Sequence, residues 1–350
     1  MTPRLRVLAA GPGATVQDFG RIGYLRYGVT PAGPMDLAAF RTANLALGND
    51  DRAAAVEVPF GGIKVICEGA PLAVAFAGGE FSWRRDGALL PKAARLVLEP
   101  GETLEARAGA LGAFTYLAAK GGFETPVVMG SRATHMRSAI GGIEGRMLRT
   151  GDILPAAAWP SLAAPGFEAE IEAPWLREAS APFRVILGPQ DDFFAPATLA
   201  KFFASEFTLT PMADRMAYRF EGPEIVPAKG HDIVSDGVAL GAIQITGGKK
   251  PLVLMADRQP TGGYPKIGHV ARADICSLAQ MRPGETCRFQ QASMEEARAA
   301  LFALEEEIAK TLLCLRPLSR KLTSEVLLQA NLISGVFFGA LEEEQSSEPR

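Results

Sequence analysis

Apolar positions along this chain fall mostly in short runs rather than long periodic stretches. Leu5 to Leu8, Ile63 to Cys67, Leu72 to Phe76, Arg95 to Leu98, Phe114 to Ala118 and Arg184 to Leu187 are rich in branched or aromatic residues. So are Ile233 to Ser235, Ala242 to Ile245, Leu252 to Met255 and Cys287 to Gln290. Gly, Pro or Asp bounds most of them, as expected of strands that end in tight turns. Glu99-Pro100-Gly101-Glu102 and Arg282-Pro283-Gly284-Glu285 are near-identical turn signals, each beside a strand. Helical spacing is found at Met35 to Leu47, which stops at Gly48-Asn49, at Pro196 to Glu206, and at Ala273 to Met281, which stops at Pro283-Gly284. It is clearest at Ser293 to Lys310, with a Ser cap and an acidic first turn. The pattern predicts a mainly β chain with a few helices.

The two halves echo each other: each has a Gly-Pro start, an early helix, a glycine-rich stretch and a Pro-Gly-Glu turn near its end. The Pro-rich stretch between them has weak periodicity and reads as a linker. The expected division is an N-terminal β-barrel subdomain at 1–155, a linker at 156–182, a C-terminal β-barrel subdomain at 183–310 and an extension at 311–350. Within the extension, Ser324 to Leu341 reads as a docked amphipathic helix and Glu342 to Arg350 as a frayed acidic tail.

Composition narrows the function classes. The chain has 350 residues, 48% hydrophobic and 21% charged, which supports a sizeable core. Its formal net charge of −3 carries no basic excess, so nucleic acid is not an expected partner. The four cysteines never fall in CxxC spacing, and reduced buried thiols are expected. The apolar run before Gly11-Pro12-Gly13 is too short for a signal-peptide core, and no stretch is apolar enough to span a bilayer, so a cytoplasmic location without membrane contact is expected.

Candidate chemistry gathers in loops. Gln17, Asp18 and Arg21, followed by Asp36 and Glu57, place hydrogen-bonding and charged groups in a Gly-rich region; capping and turn roles for Asp18 and Asp36 suit the same spacing. Gly130-Ser131-Arg132 offers amides and a guanidinium to an anion, or pairs internally. Arg215, Asp236 and Gln244 lie in two further polar segments. Asp257-Arg258-Gln259-Pro260-Thr261-Gly262-Gly263-Tyr264-Pro265-Lys266 reads as an exposed, conformationally permissive loop whose amides approach a ligand, with Lys266 as a cation or amine nucleophile. A hairpin held by Tyr264 packing is the alternative. The chain has no GxxxxGK[ST], no GxSxG, no HExxH and no His/Cys cluster, so no metal is expected.

TVQDFGR, GPMD, ANLALGN, GSRATH, GPQDDF, DRMAYRF, SDGVALGAIQ and ADRQPTGGYPKI, in this order, resemble the biotin-dependent carboxyltransferase family, also called allophanate hydrolase subunit 2. That family includes one of the subunits of bacterial 5-oxoprolinase, the antagonist of a sporulation-kinase inhibitor, and part of the carboxyltransferase region of urea carboxylase. The resemblance covers about residues 5 to 300. It implies two cyclophilin-like β-barrel domains. It implies a kinase-inhibitor-like partner (allophanate hydrolase subunit 1), with a third 5-oxoprolinase subunit in that complex, and a small amide as substrate. The leading expectation is a subunit of an ATP-dependent complex that opens 5-oxo-L-proline to L-glutamate, with ATP used at the level of the complex. The second is the carboxyltransferase subunit of a biotin-dependent urea or amide carboxylase. No biotin-attachment Met-Lys-Met motif is present, so carboxybiotin would arrive on another chain. The third is a non-catalytic regulator that binds the kinase-inhibitor-like protein.

On this resemblance, Lys266 and Arg132 neutralise developing negative charge, and Asp36 or Glu57 orients a substrate nitrogen or a water. The Thr261-Gly262-Gly263 backbone forms an anion nest, and Gln17, Gln244 and Tyr264 line the pocket. Asp18, Arg21, Ser131, Asp191, Arg215 and Asp236 complete the expected substrate-binding set.

Overall fold

The computed structural model describes residues 2–50, 52–157, 167–176 and 182–318. Those up to Pro317 form one compact unit. The structure is mainly β, with helices α1 (Leu37–Ala46), α2 (Pro196–Ala204), α3 (Arg272–Ala279) and α4 (Met294–Ala309). Each lies within two residues of its sequence-predicted bounds. Ser293 caps α4 by accepting from the Glu296 amide, and the Glu296 side chain returns the bond to the Ser293 amide.

The first half builds two sheets. A six-stranded sheet runs Ile153–Pro155, Arg4–Ala10, Ile63–Glu68, Thr103–Ala108, Phe81–Arg85 and Ala88–Leu89. A seven-stranded sheet runs Thr15–Gln17, Ala55–Pro59, Phe114–Ala119, Leu72–Gly78, Ala94–Leu98, Ala169–Ile171 and Leu315–Pro317. Period-two alternation divides the Leu72–Gly78 strand between two cores. Leu72, Val74 and Phe76 join the core between the two sheets, with Leu5, Val7, Val65 and Trp83. Ala73, Ala75 and Ala77 face the other way, toward α1 and its Ala39, Phe40 and Ala43. Alanines on that face let the helix approach closely, and Phe40 meets Tyr116 edge-on with ring centroids 5.9 Å apart.

The second half closes into a seven-stranded barrel of Phe183–Leu187, Lys266–Val270, Ala242–Ile245, Pro251–Leu254, Ala217–Glu221, Glu206–Ala213 and Thr286–Gln291. Phe183, Phe202, Phe207, Phe220 and Phe289 fill one end, with Phe202 stacked on Phe289 at 5.1 Å. This core is continuous with the α1 face of the seven-stranded sheet.

Three features depart from the sequence pattern. Ile233 to Ser235 is not a strand; the extended pair falls just after it, at Asp236–Gly237, against Thr261–Gly262. Lys266 is not in an exposed loop but opens a buried barrel strand. Within the stretch read as a linker, Ala169–Ile171 is a sheet strand, and it pairs with Leu315–Pro317 from the segment read as an extension. The amphipathic helix and acidic tail expected beyond Ser324 lie outside the described residues.

Polar side chains lock the halves together. The Gln280 Oε1 at the end of α3 accepts from the amides of Ala113 (2.8 Å) and Phe114 (3.0 Å). Its Nε2 donates to Asp36 Oδ2 (2.7 Å) and to the Phe114 carbonyl (3.0 Å). Arg282 donates to the carbonyls of Gly109, Ala110 and Gly112. Gln280→Leu strands several buried partners at once, so urea unfolding should show a loss of about 3 kcal/mol or more.

Candidate functional site

Glu57 sits mid-strand in Ala55–Pro59, fully buried, directly opposite Tyr116 in the ladder. Its Oε2 accepts from the Tyr116 hydroxyl (2.7 Å) and from the Met35 amide (2.8 Å). Its Oε1 is bound by Arg215 Nη1. Arg215 stands on the Asp214–Met216 tip between two barrel strands, shaped by Asp214 Oδ1 accepting from the amides of Met216 (2.8 Å) and Ala217 (3.1 Å). The guanidinium also holds Asp257 through two bonds of 2.9 and 2.8 Å and the Gly33 carbonyl at 2.7 Å. Burial alone would lower the Arg215 pKa; the carboxylates of Asp257 and Glu57 outweigh it and hold it above the ordinary value. Burial and the Glu57 charge push the Tyr116 hydroxyl well up.

Asp36 takes the capping role that its spacing also allowed. Its Oδ1 accepts from the Ala39 amide at 3.0 Å, at the start of α1, and its Oδ2 accepts from Gln280. Burial raises its pKa against these hydrogen bonds. It lies on the wall of a cleft of about 530 Å³ that Glu80, Lys92, Glu170 and Gln280 also line.

The Gly130-Ser131-Arg132 turn binds an anion, and that anion is internal. Asp18 Oδ2 accepts from the Arg132 amide at 2.5 Å, and Oδ1 from the Ser131 hydroxyl at 2.5 Å and the Gly20 amide at 2.9 Å. Beneath this turn Arg21 is buried and donates to the carbonyls of Val128 (3.2 Å) and Ala133 (2.5 Å). Gly141, at φ +71°, allows this seat: a Cβ there would stand 2.0 Å from the Ala133 oxygen and 2.2 Å from Arg21 Nη2. Gln17 Nε2 reaches Thr15 Oγ1 (3.0 Å) and the Thr134 carbonyl (3.1 Å). His135, next in the chain, pairs through Nε2 with Thr30 Oγ1 at 3.1 Å. Burial lowers its pKa, while Asp257 raises it and Arg21 and Arg215 lower it further. Burial also lowers the Arg21 pKa, against the charges of Asp18 and Asp257. Asp257 thus faces Arg215, Arg21 and His135 together.

The second cluster lies on the barrel. Gln244 and Lys266 are cross-strand partners, with a register shift between Ile243 and Gln244. Lys266 is 1% exposed, and its Nζ donates to Asp236 Oδ2 at 2.8 Å. That hydrogen bond, with the Gly237 amide and the Lys266 charge, holds the Asp236 carboxyl below its usual range. Gln190 accepts from the Lys266 amide at 3.2 Å, and Asp191 follows it in the Asp191–Phe193 turn. Thr261–Gly262 runs as a strand against Asp236–Gly237, and Gly263 accepts from the Ile233 amide. The expected nest is therefore replaced by a ribbon. Tyr264 is 37% exposed beside it.

The predicted residues thus fall into two sets. Arg215 joins Glu57 and Asp257, Asp257's charge acts on Arg21 beneath the Ser131–Arg132 turn, and the Asp36 amide donates to Tyr116, which bonds Glu57. Lys266, Asp236 and Gln244 form the other, bordered by Asp191 and the Thr261–Tyr264 ribbon. Tyr116, Gln190 and Gln280 were not singled out as site residues in the sequence. Gln190 lies inside a quoted motif, whereas nothing local distinguishes Gln280 from an ordinary helix-end glutamine. Among the described residues, no three His, Cys, Asp or Glu side chains are grouped to hold a metal ion, and no helix is long and apolar enough to cross a membrane.

A closed β-barrel is thus joined to a pair of sheets through a buried Arg–carboxylate network. The crystal structure of Kluyveromyces lactis urea amidolyase superimposes at a TM-score of 0.79 with 28% identity over 89% of this chain. The chain spans a fifth of that enzyme's length, 20% of it. It is 36% identical to a 5-oxoprolinase subunit of Escherichia coli over 298 residues, 85% of this chain and 94% of the relative. It is 34% identical to the corresponding subunit of Haemophilus influenzae over 284 residues, 81% and 90% of the two. Residues 27–291 match the model of the carboxyltransferase domain, subdomains A and B, and the chain belongs to that family.

Two outcomes test the network. Arg215→Met leaves two buried carboxylates without their cation and should cost about 3–5 kcal/mol in urea unfolding, with little rescue by Arg215→Lys, which cannot fork between them. His135 has a folded pKa below its unfolded value, so the unfolded chain binds more protons and stability falls as pH drops through the unfolded value of about 6.5. The stability difference between the native protein and His135→Gln should therefore shrink between about pH 7 and pH 5.5 in paired urea titrations.

Proposed function

We propose that this chain is a subunit of an ATP-dependent 5-oxoprolinase complex that opens 5-oxo-L-proline to L-glutamate in the cytoplasm. In this reading, 1–155 and 183–310 are its two carboxyltransferase subdomains, joined by 156–182 and followed by an extension at 311–350. It works with a kinase-inhibitor-like subunit and a third subunit, and ATP is used by the assembled complex. The observation that carries the reading is the buried Lys266 ammonium beside the buried Gln244 amide, in a chain similar over most of its length to two proteins named as 5-oxoprolinase subunits. Opening a lactam places negative charge on the carbonyl oxygen, first on activation and again when water attacks. A cation and amide donors held ready near that oxygen stabilise both steps. Lys266 supplies the cation, while Glu57 and Arg215 fix the frame that holds the barrel against the sheets.

A second reading is favoured by the family match and by the similarity to urea amidolyase: a carboxyltransferase that passes a carboxyl group from carboxybiotin, carried on another chain, to urea or a related amide. Turnover separates them. The chain purified with its partner subunits should form glutamate from 5-oxoproline and ATP only when this subunit is present. Lys266→Ala should lower that rate by about 100-fold or more. Bicarbonate-dependent ATP use with urea, and no glutamate, would establish the second reading. Stable partner binding with neither turnover would leave a regulator.

A further inference from the structure

Gln244 is fully buried, and neither its Oε1 nor its Nε2 has a hydrogen-bond partner. A buried primary amide with every site empty costs stability and calls for a use. Its neighbours Ile243 and Ile245 face the barrel core, so alternation places Gln244 on the opposite face with Ala242, in the small apolar cluster of Val238 and Leu254. Gly262 of the ribbon lies directly over it: a Cβ there would stand 2.5 Å from Gln244 Nε2. The register shift after Gly268 sets Lys266 opposite Gln244. An ammonium has three donors, and the hydrogen bond that Lys266 makes goes to Asp236. Asp236 itself is 53% exposed, so a buried cation takes its counter-charge from the protein surface.

We propose that Gln244 and Lys266 form a recognition pair for a small amide that carries a carboxylate, and that Asp236 holds the carboxylate's seat until the substrate displaces it. This rests on the 5-oxoprolinase reading and assigns the ends of that substrate. A lactam presents its N–H and C=O side by side on one edge. A carboxamide presents the complementary pair, Oε1 accepting the N–H and Nε2 donating to the C=O. The substrate carboxylate replaces Asp236 on Lys266 while Asp236 turns to water, so one ion pair is exchanged for another. Net affinity then comes from satisfying the Gln244 amide.

Calorimetric titration of the full chain with 5-oxo-L-proline, 2-pyrrolidone and cyclopentanecarboxylate tests this. Asp236→Asn removes the competing carboxylate, so 5-oxoproline and cyclopentanecarboxylate should both bind about tenfold more tightly than to the native protein, while 2-pyrrolidone is unchanged. Gln244→Leu should abolish the preference for 5-oxoproline over cyclopentanecarboxylate and raise the urea unfolding midpoint, because two orphaned polar atoms are removed. Unchanged or weaker carboxylate binding by Asp236→Asn, with its unfolding midpoint retained, overturns the displacement. A lower midpoint for Gln244→Leu overturns the recognition role by making Gln244 structural. If the assembled complex makes no glutamate while Asp236→Asn still gains carboxylate affinity, the 5-oxoprolinase reading fails and the seat stands.

Discussion

One guanidinium sets the terms for the rest of this molecule. Arg215 is buried where the barrel meets the sheet pair, and it ties Glu57 and the Gly33 carbonyl of the first half to Asp257 of the second. Two carboxylates and a cation removed from water are stable only when their hydrogen bonds are complete. The neighbouring pieces follow from that demand. Tyr116 and the Met35 amide satisfy the rest of Glu57, the Asp214 turn aims the arginine, and the amide that follows Met35 donates to the same tyrosine. The loop that begins α1 is thereby fixed by the barrel, although no covalent neighbour links them.

Carboxylates of the chain itself fill the anion seats. Asp18 takes the amides and hydroxyl of the Ser131–Arg132 turn. Asp236 takes the Lys266 ammonium. The two differ in exposure. Asp18 is part-buried and anchored by three donors from two segments, and its charge acts on the buried Arg21. Asp236 accepts from the Gly237 amide, from Lys266 and, at 3.5 Å, from Gln190 Nε2, and stays half exposed. The first arrangement is architecture, and the second is the one proposed to exchange its carboxylate for a substrate's.

The β content, the helices and the turns were legible because each rests on local signals: alternation, the Ser293 cap, Gly and Pro stops. Asp36 as a cap was legible for the same reason. What local pattern could not reach is pairing across distance. Lys266 reads as a loop residue because Thr261-Gly262-Gly263 precedes it, yet barrel closure with Phe183–Leu187 and Ala242–Ile245 makes it a buried strand residue. Glu57 and Arg215 were legible as candidate site residues, but their pairing with each other across 158 positions was not. Gln280 is silent for the same reason: its partners Ala113 and Phe114 lie far upstream.

The pairing of Gln244 with Lys266 also bears on why one family contains proteins named for a lactam and for urea. Urea and a lactam share the same edge, an N–H beside a C=O, and a carboxamide complements both. They differ in that the lactam acid carries a charge and urea does not. A site that reads the shared edge through Gln244 needs only one further group to separate them, and in the proposed site Lys266 is that group. A urea-directed site has no use for an exchangeable counter-ion and gains by fixing it, since an ammonium that loses its partner on binding a neutral ligand is left buried and unpaired. On that proposal, the half-exposed Asp236 carboxylate suits a substrate that brings its own charge.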